Sequence, residues 1–388
     1  MNILFIAPNV CMDCNTGDVI HVTELANSFS KRGHNVFLIA RLKKSQNNDL
    51  NFLFNFESIK PINCSKLWIP HVMVSASLSA LNLLISKKID LIYERNHIFG
   101  IGVIFGKIFR IPTIVEVNGI MIDEMKMLGS FSPLTINLAQ FIESFTLRNA
   151  ACIVSVTEGI KKYLNENYRI SYDRVVTISN GVNTDLFKPI ECSKEILNLN
   201  PKFSYVCFVG NLAPWQGIEY LIKAAPAILN RFPECRFLIV GDGVMKNELL
   251  ELSRELGVDD SFIFTGTVSH DHVPMYINAS DICAAPFILA RNAKIGLSPL
   301  KLYEYMACGK PVVASNISGV SELLETSKGG ISVLPENPDA LAEAILKLLE
   351  NPDLRNKLGN NALSNTKNNS WCSVADKILT LPKNNYRF

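Results

Sequence analysis

The chain is poor in charge and lacks the short motifs that announce most familiar chemistries. Acidic and basic residues together make up 19 % of its 388 residues and leave a formal net charge of +2. Phosphate-backbone binders are far more basic, so nucleic acid is excluded as a main partner. The sequence has no Walker loop, no G-x-S-x-G and no H-E-x-x-H, which removes P-loop phosphotransfer, α/β-hydrolase chemistry and zincin proteolysis. No D-x-D pair offers ligands to a divalent ion, so no metal is expected. Gly241-Asp242-Gly243 lacks the rest of a G-x-G-x-x-G, and no acidic residue follows at the ribose distance, which argues against hydride transfer. Ten cysteines are scattered along the chain. Only Cys11 and Cys14 form a C-x-x-C, and without a second pair they read as reduced core or loop thiols of a cytosolic protein.

Long apolar runs are also scarce. The uncharged stretch Leu67–Ser86 has spanning length, but Pro70, His71 and four serines dilute it. Leu78, Leu81, Leu84 and Ile85 recur there at helical spacing, which predicts a packed helix and no membrane span. The first residues carry neither the basic region nor the cleavage site of a signal peptide and read as a strand.

What is present is a repeated alternation of short apolar runs and amphipathic segments, 48 % hydrophobic overall, long enough for two cores. Strands are expected at Ile3–Ala7, Asn35–Ala40, Leu91–Glu94, Thr113–Val117, Cys152–Ser155 and Val175–Ile178. Helices are expected at Val19–Arg32, Ile98–Phe109, Leu134–Arg148 and Glu158–Glu166. The pattern restarts at Tyr205–Gly210 and continues through Phe237–Gly241, Phe262–Thr265, Ile282–Ala285, Pro311–Ala314 and Gly330–Leu334. Strand followed by helix, repeated this often, means parallel sheets with helices on both faces. The polar Gly- and Pro-marked stretch Ser179–Pro189 has the composition of a domain joint, and the tail after Pro382 is polar enough to fray. Ligands of such sheets bind beyond the carboxyl ends of the strands.

Several loops at those ends could carry chemistry. Thr16-Gly17-Asp18 opens a helix, where backbone can approach a ligand and negative charge is favoured. Tyr93-Glu94-Arg95-Asn96-His97 and Glu116-Val117-Asn118-Gly119 close buried strands with polar side chains. Gly210 to Gly217, containing Asn211 and Gln216, offers backbone donors and two amides but no cation. The richest segment runs from Ser298 to Val313. A Ser298-Pro299-Leu300 turn starts a short helix whose first turn carries Lys301, with Glu304 three positions on and on the same face. A helix start suits a diphosphate, so a cation and a carboxylate there could hold the two ends of a nucleoside diphosphate.

These motifs together resemble the family 4 glycosyltransferases, retaining enzymes of the GT-B fold. The resemblance runs through Thr16-Gly17, Lys31–Val36, Ile178–Val182, Val209-Gly210-Asn211, Trp215-Gln216-Gly217, Ile239–Gly243, the 298–313 segment and Trp371. It implies an α/β chain of two facing Rossmann-like doubly wound domains with a cleft between them. Residues 1–186 would form the acceptor side, 187–369 the donor side, and 370–388 a helix returning to the first domain. The partners implied are a nucleotide-sugar, of uridine type, and a glycan or lipid-linked acceptor, with no cofactor and no metal. Glu304 would grip the ribose hydroxyls, while Lys301 and the backbone of Ser298, Pro299 and Leu300 would cradle the diphosphate. Gly17, Asp18, Gly210, Asn211, Gln216 and Gly243 would complete donor binding, Asn118 would bond a sugar hydroxyl, and Arg95 and Glu116 would face the acceptor. Met125, Met127, Leu128 and Phe131, before helix 134–148, fit a lipid-linked or membrane-surface acceptor, hence peripheral membrane contact at the inner face, and fit burial against a neighbouring helix equally well.

The chain departs from the family pattern at four places. Gly296 stands where the first of two glutamates belongs, Asn211 and Gln216 replace an arginine and a lysine, Asn118 replaces a histidine, and Thr16 replaces a glycine. The Ser-Pro-Leu-Lys form would mark a subgroup in which Lys301 takes over charge neutralisation. The alternatives are a catalytically silent sugar-nucleotide binder, motivated by the lost residues, and a sugar-nucleotide epimerase of the same shape.

Overall fold

The computed structural model describes residues 1–14, 16–43, 52–60, 68–97, 99–128, 131–191 and 194–381. The polar tail from Pro382, Ile98 and the side chains of Met127 and Leu128 lie outside the described residues. The chain divides into two compact units, Met1–Ser179 with Trp371–Phe388, and Asn180–Ser370. The division falls early in the polar joint because Asn180 donates its backbone N–H to Ser298 Oγ and Val182 bridges to Ser370, both within the second unit.

The first unit is a seven-stranded parallel sheet. Its strands are β1 (Asn2–Cys11), β2 (Asn35–Arg41), β3 (Asn55–Ile59), β4 (Leu91–Arg95), β5 (Thr113–Val117), β6 (Cys152–Ser155) and β7 (Val175–Thr177), in the order β3-β2-β1-β4-β5-β6-β7. Its helices are α1 (Gly17–Lys31), α2 (Trp68–Ser86), α3 (Ile101–Phe109), α4 (Met121–Leu128), α5 (Pro133–Asn149) and α6 (Glu158–Tyr168). The second unit is a six-stranded parallel sheet of β8 (Ser204–Val209), β9 (Cys235–Val240), β10 (Phe262–Gly266), β11 (Ile282–Ala285), β12 (Val312–Ser315) and β13 (Gly330–Val333), in the order β10-β9-β8-β11-β12-β13. Around it stand α7 (Ile218–Arg231), α8 (Lys246–Glu255), α9 (Val273–Ala279), α10 (Leu289–Asn292), α11 (Leu300–Ala307), α12 (Val320–Ser327), α13 (Pro338–Leu349) and α14 (Pro352–Asn365). The last helix, α15 (Trp371–Thr380), packs on α1 in the first unit. Two doubly wound α/β sheets are the fold class that the alternating pattern predicts.

The central strands are buried on both faces, as continuous apolar runs such as Ile3-Leu4-Phe5-Ile6 and Phe237-Leu238-Ile239-Val240 require. Two features differ from the sequence expectation. β3 was not anticipated: Asn-Phe-Glu-Ser-Ile is a short polar edge strand whose pairing with β2, from Phe37–Asn55 to Arg41–Ile59, creates it. In α2 the buried line is Val72, Ala76, Ala80, Leu83 and Leu84, whereas Leu78 and Ile85 point to solvent. Alanines let the helix sit close on β1 and β2, so the larger leucine face turns outward.

Candidate functional site

Both units place polar side chains at the carboxyl ends of their central strands, and the two sets differ in how well they are satisfied. In the second unit the key element is α11. It is buried nearly all round, through Leu302, Tyr303, Glu304, Tyr305, Met306 and Ala307. Tyr305 Oη accepts from the Val209 N–H at 2.7 Å, which clips the helix to the end of β8. Its far end closes with the Gly309 N–H on the Met306 carbonyl and the Lys310 N–H on the Tyr305 carbonyl, a Schellman pair. Its near end is set by Ser298, whose hydroxyl meets Tyr303 Oη at 3.1 Å and whose carbonyl accepts from Asn180 Nδ2 at 2.6 Å. Ser298 is therefore a brace for the helix start, and the donors offered to a ligand are the first-turn N–H groups of Leu300 and Lys301 beyond Pro299.

Lys301 does not turn toward Glu304. Its amine donates to Gln216 Oε1 at 2.8 Å, lies 3.8 Å from the Phe208 ring centroid and 5.4 Å from that of Phe287. Burial among these groups pulls its pKa down to about 7, against a small opposing pull from Glu304. The loop after β8, which has no cation of its own, thus receives one from α11. Gly210 makes room for it: φ is +141°, and a Cβ would come 2.7 Å from the Lys301 amine. Gly243 abuts the Leu212 backbone, where a Cβ would come within 2.6 Å, so it joins the loops after β8 and β9. Asn211 at the tip of the first loop is exposed.

Glu304 is 7 % exposed and accepts from His270 Nε2 at 2.9 Å, while His270 tilts against Phe187 at 5.1 Å. His270 was missed in the sequence because it lies 34 residues away in a polar Ser-His-Asp-His turn with no motif around it. The place of the absent first glutamate is explained by Gly296. Its φ is +70° and a Cβ would meet the Ser318 carbonyl at 2.4 Å, so no side chain is accommodated there.

In the first unit, β4 and β5 end side by side. Glu116 is 2 % exposed and takes a 3.0 Å contact from His21 Nε2. The Trp371 ring covers His21 edge-on, 5.0 Å between centroids. Burial pushes the Glu116 carboxyl up, but the charges of His21 and Arg95 outweigh it and hold the group below the usual carboxylate range. Burial, and then the Glu116 charge, push the Tyr93 phenol well up. Glu116 was expected to face an acceptor; its carboxylate turns inward onto His21 and Asn118 instead. The Asn118 side chain also hydrogen-bonds the Glu116 carboxylate, and the Arg95 charge lies beside it. Gly17 and Asp18 form the first turn of α1, with Thr16 as its N-cap and no side-chain cap bond.

Among the described residues, one set could gather a metal: Cys11, Asp13 and Cys14, with ligand atoms within 4.8 Å of one another. The Cys11 thiol donates to Asp13 Oδ1 at 3.1 Å, and burial, with bonds to Cys14 and Asp13, raises its pKa to about 12.

Comparison with known proteins follows the same division. Residues 16–186 match the model described as Glycosyltransferase Family 4, and residues 190–364 match Glycosyl transferases group 1. An alpha-D-kanosaminyltransferase of Streptomyces kanamyceticus is 26 % identical over 264 residues, covering 67 % of each chain. An uncharacterized glycosyltransferase of Methanocaldococcus jannaschii is 26 % identical over 381 residues, 95 % of this chain and 94 % of that one. Among solved structures, a sucrose-phosphate synthase from Thermosynechococcus elongatus superposes with a TM-score of 0.79 at 21 % identity, covering 98 % of both chains. Anabaena HepE, solved in complex with UDP, gives 0.77 at 21 % identity, covering 99 % of this chain and all of that one.

Proposed function

The chain belongs to the glycosyltransferases, with domains of the family 4 and group 1 kinds, and from that premise we propose a retaining enzyme that moves a hexose or N-acetylhexosamine from a UDP-sugar to a glycan or lipid-linked acceptor. The reading places it in surface polysaccharide or glycolipid synthesis, in the cytoplasm at the inner face of a membrane. The observation that carries it is the Lys301 amine, held by Gln216 beside the first turn of α11, with no ion-pair partner among the described residues. A diphosphate would supply the missing charge, in a contact worth about 1.5–3 kcal/mol. The uridine is favoured by HepE, which has been solved with UDP and with UDP-glucose.

In the proposed step, the bond from the sugar C1 to the phosphate oxygen breaks, and the acceptor oxygen bonds C1 on the same face. The acceptor's proton passes to the departing phosphate, so no side-chain base is needed. Lys301 and the N–H groups of Leu300 and Lys301 meet the charge that grows on the leaving group, which makes a metal unnecessary for that task. Glu304, oriented by His270, accepts from the ribose hydroxyls. Gly210 lets the same loop approach the phosphates, with Asn211 at its tip. Taken by itself, the first unit offers Asn118 as the candidate partner of a sugar hydroxyl, Gly17 and Asp18 as a helix start, and Arg95 as the acceptor-side candidate.

Thermal shift of the full chain against UDP-, GDP- and ADP-sugars tests the donor, since a ligand of the native state must raise the melting temperature. UDP-sugars are expected to do so most. NMR of the transfer product then reads the anomeric configuration. No response to any UDP-sugar, or an inverted product, overturns the reading.

A further inference from the structure

The outer face of three neighbouring helices in the first unit is apolar where a water-facing layer should be charged. α2 touches α3 and α3 touches α5, so the three form one continuous layer on the sheet. On α5, Leu134, Leu138, Phe141 and Phe145 follow one another at four, three and four residues, a single stripe. It is exposed, from 82 % at Leu134 and 71 % at Phe141 to 41 % at Phe145, while Ala139, Glu143, Thr146 and Leu147 on the opposite side are buried. α3 adds Ile104 and Ile108, and α2 adds Leu78 and Ile85, all outward. Among the described residues α2 is also the one helix long and apolar enough to cross a membrane, yet it packs as a layer helix on β1 and β2.

The charges on this layer are mostly of one sign. Glu143 is the single acid in α2, α3 and α5, and it is buried, accepting from Asn96 Nδ2 and from the Tyr168 hydroxyl. The exposed cations are Lys87 and Lys88 just past α2, Lys107 and Arg110 at the end of α3, and Arg148 at the end of α5, against one exposed acid, Asp90, whose carboxylate accepts from the Asn2 N–H. The strands are parallel, so these three helix ends lie at one edge of the sheet and the cations form a row beside the apolar stripes. Helix dipoles account for cations at those ends but not for the leucines and phenylalanines between them. By contrast α8 in the second unit, Lys-Asn-Glu-Leu-Leu-Glu-Leu-Ser-Arg-Glu, mixes both signs on its outer face.

We propose that the outer face of α2, α3 and α5 docks on an anionic lipid bilayer, with the α5 stripe entering the headgroup boundary and the basic row meeting the lipid phosphates. A wide apolar area marks a docking surface, and five exposed cations against one exposed acid favour negatively charged lipid over a second protein of mixed charge. This gives a specific surface to the membrane location in the proposed function, but it rests on the outer helices alone.

Flotation of the full chain with vesicles, without donor or acceptor, tests it. Vesicles of phosphatidylcholine with a third phosphatidylglycerol should carry the protein, and pure phosphatidylcholine should carry it roughly tenfold less or worse. Leu138→Glu with Phe141→Glu should cut partitioning by about tenfold or more at an unchanged melting temperature, because both side chains are already in water. Each of Lys88→Ala and Arg110→Ala should lower anionic binding up to about fivefold and leave neutral vesicles unaffected. The proposal is overturned if the chain floats with neither vesicle. It is equally overturned if sedimentation finds a dimer that the double variant converts to monomer, since a second copy would then cover the face. Failure of UDP-sugars to bind would leave this assay untouched.

Discussion

The strand ends of the two units solve the same physical problem in opposite ways. Beyond β5, a buried carboxylate is paired with a buried imidazole, Glu116 with His21, and the pair is roofed by Trp371. Beyond β8, a lysine amine is lodged against Phe208 and Phe287 with an amide oxygen as its hydrogen-bond acceptor. The first arrangement satisfies its charges internally and so adds to the stability of the fold. The second leaves its cation short of a counter-charge and so reserves free energy for a ligand. A buried group already matched holds structure; one left under-matched is where binding is to be sought.

The contrast breaks most visibly at His21. His21→Ala leaves the Glu116 carboxylate buried with Arg95, Asn118 and the Tyr93 hydroxyl but without its imidazole partner, and the expected loss is about 3–5 kcal/mol in chemical denaturation. Because the Glu116 pKa is depressed in the folded protein, its contribution is complete above the unfolded carboxylate value. It is lost as pH falls through the lower folded value. Glu116→Gln should therefore flatten the acid limb of the stability profile; an unchanged limb means the pair is not what holds the strand end.

Glu304 comes next. Glu304→Ala should weaken nucleotide binding by about 2–3 kcal/mol in calorimetry, and His270→Ala should weaken it less, by about 1 kcal/mol, since His270 only orients the carboxylate. If the two variants lose equally, His270 touches the ligand itself. Equal affinity in wild type and Glu304→Ala would remove Glu304 from the ribose altogether.

How much of this the sequence discloses differs between the same two regions. The strands are legible because parallel strands buried on both faces are continuous apolar runs, and Pro299-Leu300-Lys301 through Glu304 is legible because helix spacing fixes which residues share a turn. What the side chains turn toward is not. Lys301 finds Gln216 and Phe208, and Glu304 finds His270, across sequence separations at which no local pattern operates. The inward turn of Glu116 and the outward turn of Leu78 were hidden for the same reason. A buried histidine and a run of alanines decided them, and both read as unremarkable helix residues. β3 owes its existence to its neighbour β2 and has little apolar content of its own.

The other side of the comparison predicts a gain. Lys301→Met removes a group whose charged form is disfavoured in the folded protein, with a folded pKa of about 7. Between that value and the ordinary lysine range the unfolded chain binds more protons, so wild-type stability should rise with pH through this window. The variant should lack that rise and be more stable near neutral pH, by about 1–2 kcal/mol, while turnover falls by about two orders of magnitude. A destabilised variant would place Lys301 among the residues that hold the fold, erasing the contrast with Glu116.

The smallest effect is the most specific. In the ligand-free protein about half the Lys301 amines are neutral at pH 7. A UDP-sugar carries a diphosphate esterified at both ends, whose charge does not change in this range, so it binds the ammonium form and draws a proton onto the neutral fraction. Donor affinity should then fall about fivefold from pH 7 to pH 8 and level off toward pH 6. Calorimetry in buffers of different ionisation enthalpy should register about half a proton taken up at pH 7. In Lys301→Met both the pH dependence and the proton uptake should vanish, with any remaining affinity independent of pH. Persistence of the uptake in that variant would move the titrating group elsewhere, with His270 beside Glu304 the next side chain to replace.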